Sequence, residues 1–138
     1  MSPAPAARPR KRILTCDDEP SVSRLLQRFL RFSGFEVTSL QNPALVLGAL
    51  EQEPYDLLIL DLLMPELDGD QVLARLRACE DGLEDLPVIV LTAKLLEPEE
   101  RAALRRLRAT VLQKPFQLHD LIQRVRQAVS VGRVGGTA

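Results

Sequence analysis

Asp17 and Asp18, Asp61, Thr92 and Lys114 are the residues of this chain best suited to chemistry, and each follows a short apolar run. The runs are Ile13-Leu14-Thr15-Cys16, Leu57-Leu58-Ile59-Leu60, Val88-Ile89-Val90-Leu91 and Val111-Leu112-Gln113. In open parallel α/β sheets the functional crevice lies at the carboxyl ends of the strands. Polar residues that close successive strands would therefore converge, however widely the chain separates them. Three carboxylates at one edge repel one another, and a divalent cation relieves that conflict. Carboxylate oxygens, completed by water and a phosphate, describe a magnesium site. Asp17 and Asp18 alone would more often be helix caps than metal ligands; Asp61 as a third carboxylate favours the metal. Lys114 supplies a fixed positive charge and Thr92 a hydroxyl, both suited to phosphoryl oxygens. A carboxylate can itself be the nucleophile in phosphoryl transfer, and Asp61, at the end of the expected central strand, is the candidate. The protein's task would then be to position groups and neutralise charge, with no general base needed at an ionised carboxylate.

The elements that must hold these residues alternate along the chain. After the first strand, Ser21 precedes Val22, Leu25, Leu26, Phe29 and Leu30 at helical spacing, and Gly34 ends that helix. Residues 36–40 read as a second strand; Pro43 opens a helix with Leu45, Val46, Ala49 and Leu50 on one side, stopped by Pro54. The run at 57–60 does not alternate, as expected for a central strand covered on both faces. Met64-Pro65 marks a turn, and Asp68-Gly69 leads into a helix with Val72, Leu73 and Leu76 on one side. Pro98 opens a fourth helix with Ala102, Ala103, Leu104 and Leu107. A fifth, from 118 to 131, repeats Leu118, Leu121, Ile122, Val125 and Val129. Five strand-helix units predict an α/β fold: a doubly wound, five-stranded parallel sheet of flavodoxin-like topology.

With 138 residues the chain is expected to form one domain over 12–131, preceded by a flexible basic arm at 1–11 and followed by a glycine-rich tail at 132–138. Lysine and arginine total 18 against 19 acidic residues, so no global charge drives the protein toward nucleic acid or membrane. No secretory signal and no run of membrane-spanning length is visible, which predicts a cytoplasmic protein. Cys16 and Cys79 lack metal-ligand or redox-pair spacing and read as reduced and structural; His119 reads as a surface or capping residue. Acidic residues at 97, 99 and 100 and arginines at 101, 105, 106 and 108 match the dipole of the fourth helix, which a solvated face explains. The Lys114-Pro115 peptide can be cis at modest cost, and the residues alone leave its isomer open.

Four segments together resemble the receiver domain of two-component response regulators: Cys16-Asp17-Asp18-Glu19-Pro20, Asp61-Leu62-Leu63-Met64-Pro65-Glu66-Leu67-Asp68-Gly69, Leu91-Thr92-Ala93-Lys94 and Gln113-Lys114-Pro115-Phe116. The resemblance covers about residues 11–131. It implies magnesium held directly by Asp18 and Asp61, with Asp17 assisting through water and the Leu63 backbone carbonyl completing the protein ligands. It implies that Asp61 accepts phosphate from a histidine kinase or a phosphotransfer protein and that Thr92 and Lys114 bind the phosphoryl oxygens. In the family the bond after this lysine is usually cis. A signalling protein rather than an enzyme is expected, a stand-alone receiver acting through protein contacts or onward phosphotransfer, as a monomer or weak homodimer. Leu63 and Lys94 would flank the path of hydrolytic water.

One position departs from the family pattern. Three residues before the lysine, a usually aromatic reporter of phosphorylation is replaced by Val111. Thr92 is expected to move toward the phosphoryl group while the surface of the fourth helix, fifth strand and fifth helix changes less than in a typical member. The sequence Leu107-Arg108-Ala109-Thr110 also lacks the usual glycine and acidic residues, leaving the shape of that turn open. Two rivals differ in class. A haloacid-dehalogenase-type phosphatase needs a second acid two residues after the nucleophile, where Leu63 stands. A phosphorylation-independent receiver-like binding module rests only on Val111.

Overall fold

The computed structural model describes residues 10–61, 69–80 and 82–131. Strands β1 (Arg12–Cys16), β2 (Glu36–Leu40), β3 (Leu57–Asp61), β4 (Val88–Thr92) and β5 (Ala109–Gln113) alternate with helices α1 (Pro20–Phe32), α2 (Val46–Gln52), α3 (Gly69–Arg77), α4 (Pro98–Arg106) and α5 (Leu118–Val131). All strand pairs are parallel, in the order β2-β1-β3-β4-β5. This is the doubly wound, flavodoxin-like arrangement, with β3 in the middle.

Side chains alternate across a strand, so β3 serves two cores at once. Leu58 and Leu60 pack with Val46, Leu50, Leu73, Leu76 and Leu104, from α2, α3 and α4. Leu57 and Ile59 pack on the opposite face with Leu26, Leu30, Leu121 and Val125, from α1 and α5. All five residues of β3 and of β4 are buried, and each leucine so buried contributes about 1.5–3 kcal/mol. That two-sided burial explains the absence of polar alternation in these strands.

The helical stripes differ in detail from the spacing. Leu25 and Leu45 are exposed, whereas Ser23 is buried on α1 with its hydroxyl paired to that of Ser39. The hydroxyl pair joins α1 to β2. Pro43 opens a 3-10 turn over residues 43–45, capped by the Asn42 side chain, and α2 follows from Val46. Gly34 ends α1 with φ of 102°, a conformation that favours glycine, while Phe35 donates back to the Leu30 carbonyl. β5 starts two residues before the expected run, at Ala109. The turn left open by the sequence is made by Arg108 with φ of 59°, the left-handed region in a residue other than glycine.

Two expected regions fall outside the described residues: the arm through residue 9 and the tail from 132. Arg10 and Lys11 are exposed, and the Lys11 carbonyl accepts from the Glu36 amide as the first bond between the edges of β1 and β2.

Candidate phosphoryl and metal site

The carboxyl ends of β1, β3, β4 and β5 bring the expected residues together. Asp61 is the last residue of β3, Thr92 the last of β4, Asp17 and Asp18 follow β1, and Lys114 follows β5. Register sets their depth: Asp61 pairs with Leu91, and Thr92 with Gln113. Carboxylate oxygens of Asp17, Asp18 and Asp61 lie within 4.8 Å of one another. Lys114 Nζ reaches into the same space, 3.5 Å from Asp61 Oδ2 and 3.9 Å from Asp17 Oδ2. The Lys114-Pro115 bond is cis. Leu63 lies outside the described residues.

Asp17 is 1% exposed and Asp61 6%, while Asp18 is open to solvent. The position of Asp17 is built by its own backbone: its amide donates to the Leu40 carbonyl, and its Oδ1 accepts from the Glu19 amide at 2.9 Å. Its buried Oδ2 accepts no hydrogen bond among the described residues. Burial pushes the Asp17 carboxyl up to about 6; the Glu19 amide opposes this, and repulsion from Asp61 adds to it. An orphaned, buried carboxylate oxygen facing two further carboxylates has the chemistry of a hard-cation site. Asp17, Asp18 and Asp61 therefore fit magnesium.

Cys16, buried under the same cluster, is held as a neutral thiol: burial first, then the negative charge of Asp17, raises it to about 12. Cys79 forms no disulfide with it and directs its Sγ at the Arg75 carbonyl. His119 is exposed on the first turn of α5.

Thr92 is fully buried, and its Oγ1 accepts from the Lys94 amide at 3.0 Å. The hydroxyl proton is thereby left available for another acceptor. Lys94 itself points along α4, pairing through Nζ with Glu100, whose other oxygen accepts from the Glu97 amide at 2.8 Å to close the helix start.

Two residues with structural weight were not singled out by spacing, Gln113 at this edge and Arg77 at the opposite, amino edge of the sheet. Gln113 donates through Nε2 to the carbonyls of Thr92 and Lys94. The only sequence signal was a polar residue closing an apolar strand beside Lys114. Arg77 of α3 donates to the carbonyls of Glu84, Leu86, Leu107 and Arg108. No spacing rule reveals that role, because carbonyl acceptors carry no residue identity.

A family model described as the response regulator receiver domain matches residues 13–126. Response regulator MprA of Mycobacterium leprae is 38% identical over 115 residues, 83% of this chain and 49% of that protein. MprA of Mycobacterium avium matches to the same extent; the chain spans about half the length of these curated relatives. Among solved structures, a sensor protein from Polaromonas sp. JS666 superposes with a TM-score of 0.80 at 31% identity, over 88% of this chain and 98% of that one. Chemotaxis protein CheY4 of Vibrio cholerae, at 23% identity, shares the fold with a TM-score of 0.79 over 87% of this chain and 99% of its own. On the match across 13–126 and the sheet order it encodes, the chain belongs to the receiver-domain family of two-component response regulators.

Proposed function

We propose that this receiver accepts a phosphoryl group on Asp61 from a histidine kinase or a phosphotransfer protein and signals through protein contacts or onward phosphotransfer. The observation that carries the reading is the meeting of three carboxylates within 4.8 Å with Lys114 Nζ 3.5 Å from Asp61 Oδ2. A carboxylate oxygen of Asp61 attacks phosphorus; the new O–P bond forms as the P–N bond of phosphohistidine breaks, and its electron pair leaves with the imidazole nitrogen. Lys114, already drawn to Asp61, offsets negative charge on the transferred group, and the Thr92 hydroxyl donates to one of its oxygens. Magnesium held by Asp17, Asp18, Asp61 and the Leu63 carbonyl would supply the remaining charge neutralisation when bound. Burial of Asp17 and Asp61 keeps the acyl phosphate away from bulk water on the strand side. Among the described residues no helix is long and apolar enough to cross a membrane, in keeping with a cytoplasmic site of action.

Site mapping tests this reading. After incubation with phosphoramidate and magnesium, borohydride reduction should convert one aspartate to homoserine, and peptide mass spectrometry should find it at Asp61. Reduction at another aspartate would contradict the assignment to Asp61, and reduction at none would leave a phosphorylation-independent binding module.

A further inference from the structure

Gln113 is the last residue of β5, in register with Thr92 and one position before Lys114. Its Nε2 donates to Lys94 O at 2.9 Å and to Thr92 O at 3.2 Å. Both acceptors are carbonyls, so only the nitrogen side of the amide can face them. The opposite atom, Oε1, is then buried without a donor. A buried polar atom left without a partner costs free energy, which the two bonds to the loop offset.

The segment it grips is the one that presents the Thr92 hydroxyl. Thr92 O also accepts from the Lys114 amide at 2.7 Å, and Thr92 Oγ1 accepts from the Lys94 amide. Gln113 therefore closes a ring of hydrogen bonds around residues 92–94, holding both carbonyls that bracket the turn. Ordering these groups before a ligand arrives removes an entropic cost from binding. We propose that Gln113 is a positioning residue for phosphoryl binding, pre-organising the turn that carries Thr92 from the strand that carries Lys114. The inference rests on the phosphoacceptor reading above and assigns Gln113 a part in the same site.

The test compares the native chain with Gln113→Leu, which removes both donors, and Gln113→Glu, which sets acceptors against the two carbonyls. Beryllofluoride affinity at saturating magnesium should fall about tenfold in each, the scale of one or two lost hydrogen bonds. Phosphorylation by acetyl phosphate should slow by a similar factor, and the Lys94 amide should exchange faster with solvent. Magnesium affinity should stay within about twofold, because Gln113 bonds the loop and not the carboxylates. A general structural defect would weaken magnesium and beryllofluoride together. Native-like beryllofluoride binding in both variants, or a parallel loss of magnesium, would overturn the positioning role alone. A native chain that binds magnesium but no beryllofluoride would overturn the phosphoacceptor reading, and this inference with it.

Discussion

Asp17 carries an electrostatic cost at the site. Its carboxyl ordinarily titrates near 3.8 and is raised to about 6 by burial, against the pull of the Glu19 amide and with the repulsion of Asp61 added. Between these values the folded chain holds a proton that the unfolded chain has released, so stability of the metal-free protein falls as pH rises through about 4 to 6. Asp17→Asn should abolish that slope and raise metal-free stability at pH 7 by about 3 kcal/mol, read from urea unfolding in chelator. Magnesium should stabilise the native chain more at pH 7 than at pH 5, where its ligand is protonated. A metal-free stability that rises through this window would contradict the account. The five polar residues of the site were legible in sequence because each closes an apolar run. The contribution of Gln113 was not, since it depends on which way an amide faces in the folded chain.

At the scale of elements, the turn from α4 to β5 illustrates how this chain meets a requirement that the family pattern meets with glycine. Arg108 takes φ of 59°, a conformation that costs a residue with a Cβ about 1–2 kcal/mol. Around it, Arg108 donates to the Glu84 carbonyl and pairs with Asp85 at 3.3 Å, while Arg77 donates to the carbonyls on either side of the turn. Arg77→Leu should therefore cost about 2–4 kcal/mol, because four charge-assisted bonds are lost, three of them half-buried. Urea denaturation measures this directly, and a loss below about 0.5 kcal/mol would show that water replaces the guanidinium freely. Strand identity was legible from the uninterrupted apolar runs of β3 and β4. Helix faces were less so: Leu25 and Leu45 fit a helical period yet lie exposed. Ser23 takes an inner position instead, where its hydroxyl pairs with that of Ser39.

For the whole molecule, the sheet is a platform between two cores, and among the described residues the buried carboxylates, Asp17 and Asp61, lie at its carboxyl edge. Val111 packs half-buried against the core shared by α2, α3 and α4. It has no ring to swing between an outward and an inward position. Binding of beryllofluoride should shift backbone amide resonances strongly at residues 92–94 and weakly across α4, β5 and α5. Large shifts throughout α4 and α5 would show that another device carries the signal. The family and fold were legible because the receiver segments recur at the ends of four successive strands; the path of the signal was not, because it depends on contacts between surfaces. We propose that Asp61 takes a phosphoryl group with the help of the carboxylates and lysine around it. Intact mass after incubation with acetyl phosphate, with and without magnesium, tests it most directly. The native chain should gain one magnesium-dependent phosphoryl adduct that Asp61→Asn lacks; an adduct of equal yield in Asp61→Asn, or none in the native chain, would contradict the account.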